Sequence, residues 1–269
     1  MINNQFLNIK KFIFLLIFII ILICVLLYVY ITDWYLIRNL LPLRSVSNNP
    51  IKKIMIGCPT IDRDISKASK MYQTMINAIK HLSTFKQIII DIIVITRKSD
   101  NKIKEFWNNK ANKIILVPHY EIIDRHNIDA ISNKMNILSS YCLNNNYDAL
   151  VIIESDVYSN IDTLTNLVIC LENNHVAFAY GNIPWKKQPI VVLPGFLKPQ
   201  IIHPKKEPLW QRAHGSWTGF VAIRKEVLYG TPFKKKKFKN IVGQDVGFYM
   251  RCFHMRFRIF VTDYVEHDY

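Results

Sequence analysis

One stretch decides the fold: DALVIIESDVY, residues 148–158. Its run from Leu150 to Ile153 is continuously apolar and rich in β-branched residues, which is typical of a strand buried on both faces in a parallel sheet. Two acids follow this run directly. Because side chains two residues apart in an extended chain point the same way, Glu154 and Asp156 are predicted to converge while Ser155 faces the other side.

The two acids predict a site for a divalent cation. Carboxylates that converge at the end of a strand repel each other unless a cation joins them. Hard oxygen ligands suit Mg²⁺ or Mn²⁺, which takes one or two carboxylates and completes its shell with water and substrate phosphates. A strand that simply ends in a polar, solvated turn is the alternative that these residues leave open.

Length and composition set the class of protein and its possible partners. The 269 residues suffice for one large domain or two small ones. The net charge of +15 favours anionic partners, but the lysines are dispersed and no nucleic-acid-binding motif is present, so nucleic acid is not an expected partner. The five cysteines form no CxxC pair, which argues against a zinc site and a disulfide framework.

The N-terminal region is predicted to anchor the chain in a membrane. Residues 12–31 are twenty residues without a charge or a proline, and as a helix they match the thickness of a bilayer core. A cleaved signal peptide is the alternative. Signal peptides, however, have a shorter apolar region followed by a cleavage site of small residues, and this sequence shows neither feature. The predicted order is a short tail at 1–11, a transmembrane anchor at 12–32, a stalk at 33–50 and a folded domain at 51–269.

The folded domain shows alternating strand and helix patterns. Strands are predicted at residues 53–58, 88–96, 114–117, 150–153, 176–180 and 259–261, and residues 213–224 are predicted to be a glycine-bearing turn that runs into an apolar strand. Helices are predicted at 66–82, 101–107, 128–143, 162–172 and 246–253, with Asp162 as a cap. This alternation indicates an α/β fold with a parallel sheet and right-handed crossovers. Residues 181–209 contain six prolines and are predicted to form loop or edge structure, such as a lid or a substrate wall.

Several short motifs follow one another in a characteristic order along this domain. They are the polar loop after the first strand, Glu154-Ser155-Asp156, the Gly-Ser-Trp-Thr-Gly-Phe segment at 215–220, Gln244-Asp245 at a helix start, and His267. The order resembles the GT-A class of glycosyltransferases, which move a sugar from a nucleotide-sugar donor. The resemblance covers about residues 53–267 and implies a GT-A-like, Rossmann-type, mostly parallel sheet flanked by helices.

The resemblance implies a metal site and a donor site. Glu154-Ser155-Asp156 stands at the position of the family's acidic DXD motif, in which the last acid binds Mn²⁺ or Mg²⁺. His267 matches a late histidine that completes the metal shell and would favour Mn²⁺; an exposed terminal side chain is the alternative. The donor-binding residues that the resemblance implies are Thr60, Asp62, Arg63, Arg125, Lys134, Glu154, Ser155 and Asp156.

Within this donor set, Arg125 and Lys134 stand where family members often place cations against the nucleotide or its diphosphate. A preorganised cation there would stabilise negative charge that develops on the leaving group. Surface ion pairs are the alternative reading of both residues.

The resemblance also implies residues for the acceptor and for proton transfer. Asp245 resembles the acid that begins a helix in inverting members and removes the proton from the acceptor hydroxyl. The family often has Glu-Asp where this chain has Gln244-Asp245, and a plain helix cap is the alternative for Asp245. Trp217, Thr218 and Gly219 match the segment that lines the acceptor side, although Trp217 would also suit the core.

The resemblance therefore implies a metal-dependent glycosyltransferase (a hexosyl- or related transferase, EC 2.4), inverting, with a nucleotide-sugar donor and a glycan, glycoprotein or glycolipid acceptor. It would be a single-pass type II membrane protein and, if the host is eukaryotic, its catalytic domain would be lumenal, in the Golgi or ER. One alternative is a nucleotidyltransferase, for which residues 57–60 make a poor phosphate loop. The other is a non-catalytic, membrane-anchored module with the same fold.

Overall fold

The computed structural model describes residues 2–31, 41–118, 128–183, 188–194, 199–216, 219–234, 236–238 and 241–268. It consists of two units, residues 1–42 with 195–199 and residues 43–194 with 200–269. The first unit contains helix α1 (Ile2–Ile31), whose side chains at 12–27 are exposed. No helix formed by the described residues has the length and apolarity needed to cross a membrane. The transmembrane anchor predicted at 12–32 therefore has no support in the structure.

The second unit is an α/β domain. Its strands are β1 (Lys53–Pro59), β2 (Ile89–Arg97), β3 (Lys113–Val117), β4 (Ala149–Ile153), β5 (Val157–Tyr158), β6 (Val176–Tyr180), β7 (Asn182–Ile183), β8 (Gln188–Pro189), β9 (Val191–Leu193), β10 (Gln200–Ile202), β11 (Gln211–Arg212), β12 (Gly215–Ser216), β13 (Phe220–Arg224), β14 (Lys236–Phe238), β15 (Ile241–Gly243), β16 (Ile259–Tyr264) and β17 (Glu266–His267). Its helices are α2 (Ile65–Phe85), α3 (Asn101–Trp107), α4 (Ile128–Asn144), α5 (Thr163–Cys170), α6 (Lys225–Leu228) and α7 (Gln244–His254).

The main sheet has eight strands in the order β11-β16-β6-β13-β4-β1-β2-β3. Strands β3, β2, β1 and β4 are parallel neighbours, and β6 and β16 form a second parallel pair. Strand β13 lies between β4 and β6 and is antiparallel to both, so the two parallel groups run in the same direction. This arrangement confirms the predicted mostly parallel sheet. The apolar strand predicted within 213–224 is β13, which is antiparallel to its neighbours, and β11 is a second antiparallel strand, which was not predicted.

Helices cover both faces of this sheet because its strands are apolar on both sides. Ile54 contributes to the core beneath α2 and α5, while its neighbour Met55 contributes to the core beneath α4 and α7. Both side chains are fully buried. Burial of a side chain of this size contributes roughly 1.5–3 kcal/mol, so the alternation of β1 helps to hold both helical layers on the sheet.

Two local predictions need correction. Asp162 makes no side-chain cap hydrogen bond to α5, because its carboxylate lies 2.8 Å from Nε2 of His81 on α2 and joins the two helices. In the proline-rich segment 181–209, predicted as loop or edge structure, the described residues form four short strands, of which β9 pairs with β10 and β12 in a separate three-stranded sheet.

The two edges of the main sheet differ in what they carry. We call the edge at which the parallel strands begin the basal edge, and the edge at which they end the site edge. Residues 43–50, predicted as part of a stalk, lie against the basal edge. The buried guanidinium of Arg224 donates hydrogen bonds to the carbonyl oxygens of Ser47 and Asn49 at 3.0 and 2.9 Å. The packed domain thus begins at Leu43.

Candidate functional site

Three side chains able to bind a metal meet at the site edge, where β4 ends. Glu154, Asp156 and His267 each offer one ligand atom, and these atoms all lie within 4.8 Å of one another. Nε2 of His267 is 3.1 Å from Oδ1 of Asp156. The structure therefore brings together the three residues predicted as metal ligands, and we call them the metal group.

A tight turn, rather than the alternation of an extended strand, makes the two acids converge. The amide of Val157 donates to the carbonyl oxygen of Glu154 at 3.2 Å, which is the hydrogen bond of a β-turn. The hydroxyl of Ser155 is buried, and its Oγ lies 3.4 Å from Oδ2 of Asp64 at the start of α2.

His267 reaches the metal group because β17 pairs with β5, which places it opposite Val157. The amide of Asp268 donates to the carbonyl oxygen of Asp156 at 2.9 Å. The carboxylate of Asp268 in turn accepts a 3.0 Å hydrogen bond from the hydroxyl of Tyr158. We call this set of bonds the C-terminal clasp. Since the side chain of His267 is only 2% exposed, the alternative of a solvated terminal histidine is wrong.

Gly219 lies directly against the metal group. The amide of Glu154 donates to the carbonyl oxygen of Gly219 at 2.8 Å. A Cβ at this glycine would lie 2.6 Å from Cγ2 of Val157 and 2.9 Å from Oε2 of Glu154. Cβ atoms in proteins do not come this close to other non-bonded atoms. Of the three predicted acceptor residues, Gly219 thus makes room for Glu154, while Trp217 and Thr218 lie outside the described residues.

Lys134 supplies a buried positive charge close to Thr60. Its side chain on α4 is 6% exposed and donates to the carbonyl oxygen of Thr60 at 3.3 Å. Burial lowers the pKa of Lys134 to about 8, an effect that the charges of Asp100, Asp64 and Glu154 partly oppose. An ammonium has three donors. This cation, predicted to bind the donor, therefore lies next to Thr60 and within electrostatic range of the metal group.

Arg97 and Asp100, at the end of β2, were not among the site residues predicted from the sequence. Nη2 of Arg97 lies 2.7 Å from Oδ1 of Asp100, and the hydroxyl of Thr96 donates to Asp100 at 2.9 Å. Burial would raise the pKa of Asp100, but the hydrogen bonds from Arg97 and Thr96 hold it below its ordinary value. The sequence feature that could have indicated them is that the predicted apolar strand β2, like β4, is followed directly by polar and charged residues.

The structure gives Asp62 a capping role. Its Oδ1 accepts a 2.8 Å hydrogen bond from the amide of Ile103, in the first turn of α3. Asp100 precedes α3 and makes no side-chain cap bond, so Asp62 satisfies an amide that the helix leaves free. The side chain of Arg63 and the whole of Arg125 lie outside the described residues.

Asp245 lies in the first turn of α7, where the sequence predicted a helix start. It is buried and is not a member of the metal group. One turn later Tyr249 packs against Gly215, where a Cβ would lie 2.4 Å from Cγ of Tyr249. Gly215 also has a φ of +144°, so glycine is required there for two reasons.

Neither a protein-family model nor a curated protein sequence matches the chain. Solved structures do match it in three dimensions. The chain is similar to GalNAc-T7 in a structure with UDP, GalNAc and Mn²⁺, with a TM-score of 0.55 and 11% identity over 83% of this chain and 45% of that one. It is also similar to A197 from STIV (TM-score 0.43, 15% identity, 81% of this chain and 86% of that one).

A third similar structure is that of CMP:2-keto-3-deoxy-manno-octonic acid synthetase with CTP, with a TM-score of 0.47 and 12% identity over 80% of this chain and 90% of that one. At such identities a likeness concerns the fold. The chain spans less than half the length of the GalNAc-T7 chain. The match to GalNAc-T7, together with the strand order of the main sheet, confirms the predicted GT-A-like fold.

Proposed function

We propose that the protein is a metal-dependent glycosyltransferase that moves a sugar from a nucleotide-sugar donor to an acceptor hydroxyl. One observation carries this proposal: the metal group lies where the order of the parallel strands reverses. Strand β1 has β2 on one side and β4 on the other. In open α/β sheets ligands bind outside the carboxyl ends of the strands at such a switch point. Thr60 follows β1 and Glu154 follows β4, so both flank it.

The donor atoms of the metal group fit a divalent ion. Ligands bonded at about 2.1 Å to an octahedral ion lie about 3 Å apart when adjacent and about 4.2 Å apart when opposite. The three ligand atoms of Glu154, Asp156 and His267 lie within 4.8 Å of one another and need only small adjustments. Two carboxylates with one imidazole favour Mn²⁺ over Mg²⁺. When bound, such an ion would neutralise charge on the donor diphosphate.

The similar structure of GalNAc-T7 contains UDP, GalNAc and Mn²⁺, a nucleotide, a sugar and a metal of the kinds that this proposal requires. In this chain Lys134 would stabilise negative charge on the departing nucleotide, because a buried ammonium acts in surroundings of low dielectric constant. The other residues proposed to bind the donor are Thr60, Asp62, Arg63, Arg125 and Ser155.

We further propose Asp245 as the general base of an inverting transfer, with Trp217 and Thr218 on the acceptor side. Asp245 lies in the first turn of α7, where a helix favours a negative charge of the kind that a base carries. A base that accepts the acceptor proton contributes on the order of 10² to 10⁴ in rate. An Asp245→Asn protein should therefore retain metal and donor binding while it loses transfer.

Incubation of the purified full-length chain with a panel of nucleotide sugars tests the proposal. Sugar release or transfer should require Mn²⁺ and stop when EDTA is added. The Asp156→Asn substitution should weaken Mn²⁺ binding and lower the rate by about 10² or more, because it removes a ligand charge. Asp91→Asn is the control, since Asp91 lies at the basal edge and bonds Tyr147.

Two results would contradict the proposal. One is the absence of donor binding, hydrolysis and transfer with every nucleotide sugar in the presence of Mn²⁺. The other is release of pyrophosphate from a nucleoside triphosphate and a sugar phosphate, which would identify a nucleotidyltransferase.

A further inference from the structure

The basal edge of the main sheet carries an excess of positive charge. Lys52 and Lys53 lie at the start of β1, and Lys113 begins β3. The remaining cations of this edge are Lys225, Arg256 and Arg258. Lys52 and Lys113 are exposed. These residues come from four separate segments of the chain, and the direction of the strands gathers them on one side of the domain.

The carboxylates of the basal edge neutralise only part of this charge. Asp91 lies 3.9 Å from Nζ of Lys53, and Asp148 pairs with Lys225 at 3.2 Å and accepts the amides of Lys52 and Lys53. Glu226 pairs with Arg224 at 2.9 Å. Within the described residues, Lys52 and Lys113 have no ion-pair partner.

Large apolar side chains are exposed at the same edge. Phe85 ends α2, which returns from the site edge to the start of β2, and Ile89 begins that strand. Tyr229 follows α6 directly beyond the end of β13. These three side chains are 62%, 62% and 74% exposed. A surface that carries both cations and exposed apolar side chains is typical of proteins that lie on a membrane, where both kinds of side chain find partners.

The chain enters the domain at this edge. The amide of Arg44 donates to the carbonyl oxygen of Arg256 at 2.9 Å, and the guanidinium of Arg44 lies over the ring of Phe257 at 5.0 Å. Together with the bonds from Arg224, these contacts fix residues 43–50 on the basal edge. In the sequence this segment follows the apolar run 12–31, whose described side chains are also exposed.

We propose that the basal edge is a membrane-facing surface that binds anionic lipid headgroups. Lys52, Lys113 and their neighbours would lie at the headgroups, while Phe85, Ile89 and Tyr229 would enter the boundary between headgroups and acyl chains. The metal group, at the opposite edge of the same sheet, would then face the aqueous side. This inference is independent of the proposed reaction, since none of these residues belongs to the metal group.

Chemical labelling of lysines in the full-length chain tests the inference. The chain is mixed with vesicles of phosphatidylcholine alone or with about 30% phosphatidylserine, and each lysine's reaction with an amine reagent is measured by mass spectrometry. Labelling of Lys52 and Lys113 should fall about threefold or more with the anionic vesicles and recover at about 0.5 M NaCl. Lys98 and Lys102 are the controls, because they are also exposed but lie at the site edge.

A Lys52→Glu/Lys113→Glu protein separates charge from other causes of protection. Both lysines are exposed, so the fold should persist, and the protection of Lys225 by anionic vesicles should be lost. Equal labelling of Lys52 and Lys113 with the two vesicle types would overturn the inference. So would equal protection of Lys98 and Lys102. Protection by a short DNA duplex but not by anionic vesicles would overturn it in favour of a nucleic-acid partner.

Discussion

Glu154 and Gly219 are in direct contact through their backbones: the amide of Glu154 donates a 2.8 Å hydrogen bond to the carbonyl oxygen of Gly219. The carboxylate of Glu154 also turns back over this glycine, so that a Cβ there would lie 2.9 Å from Oε2. The position of a predicted metal ligand thus depends on a residue 65 positions away in the sequence that has no side chain of its own.

We expect a Gly219→Ala substitution to damage metal binding more than folding. The added methyl would displace the Glu154 carboxylate, and overpacking of this kind costs about 1–3 kcal/mol of unfolding free energy. Affinity for Mn²⁺, measured by electron paramagnetic resonance of the free ion, should fall about tenfold or more. Gly230→Ala is the matched control, because its Cβ would meet only Cε of Met255, at 3.7 Å. Unchanged Mn²⁺ affinity in Gly219→Ala would show that Glu154 does not bind the metal.

The C-terminal clasp should hold His267 in place for the metal. Tyr158→Phe removes the hydroxyl that donates to Asp268, whereas Tyr147→Phe removes an equivalent 2.8 Å hydrogen bond to Asp91 at the basal edge. Each substitution should lower the unfolding free energy by about 1–3 kcal/mol, since a hydrogen bond to a charged acceptor is lost. Only Tyr158→Phe should weaken Mn²⁺ binding, by about tenfold. Equal Mn²⁺ affinities of the two variants would contradict this role of the clasp.

Lys134 should contribute to donor binding while it lowers the unfolding free energy of the domain near pH 7. Its folded-state pKa of about 8 lies below the ordinary 10.5, so between these values the unfolded chain holds a proton that the folded chain lacks. The wild type should therefore gain stability from this residue as the pH rises, by about 2 kcal/mol between about pH 7 and pH 9.5. Lys134→Met cannot show this gain.

Denaturant unfolding of both proteins across this range measures the effect as the difference between their unfolding free energies. The unfolding free energy of Lys134→Met relative to that of the wild type should be highest near pH 7. The affinity of the variant for a nucleoside diphosphate should fall about tenfold or more. A difference that does not change with pH would mean that Lys134 does not titrate in this range. Undiminished affinity would remove Lys134 from the donor site.

The segment 43–50 should detach from the domain when Arg224 is replaced. Its guanidinium donates to Ser47, Asn49 and Leu171, and a lysine cannot reproduce this fork. Arg224→Lys should cost about 2–4 kcal/mol of unfolding free energy because buried carbonyl groups lose their donors.

Limited digestion with trypsin reports the release directly as faster cleavage after Arg44. Arg251→Lys is the control, since Arg251 is exposed and its one hydrogen bond within the described residues, to Gly230, lies at the surface. If Arg44 is cleaved at the same rate in the wild type and in Arg224→Lys, other contacts hold the segment.

Much of the fold followed from local patterns in the sequence. The apolar run before Glu154 predicted a buried strand, and the alternation of strand and helix predicted the mostly parallel sheet. The spacing of Glu154 and Asp156 predicted that the two acids converge, which they do, although a turn rather than an extended strand brings this about. The predicted membrane anchor gained no support.

Contacts between distant segments escaped these patterns. The bonds that hold residues 43–50 on the domain, the contact of Lys134 with Thr60, and the fit of Gly219 against Glu154 have no signature in a single sequence. His267 was predicted as a site residue from the family resemblance, because its neighbours in the sequence do not indicate a metal ligand.

The sequence by itself determined which segments form strands, which of their faces are apolar, and where carboxylates follow a buried strand, because side-chain periodicity acts over a few neighbouring residues. Only the tertiary structure decided which distant residues share a site. Strand order places Thr60 beside the end of β4, and the pairing of β17 with β5 delivers His267 to Asp156. The physical reason is that pairing and register depend on how whole strands and helices pack together, and this packing cannot be read from any one segment.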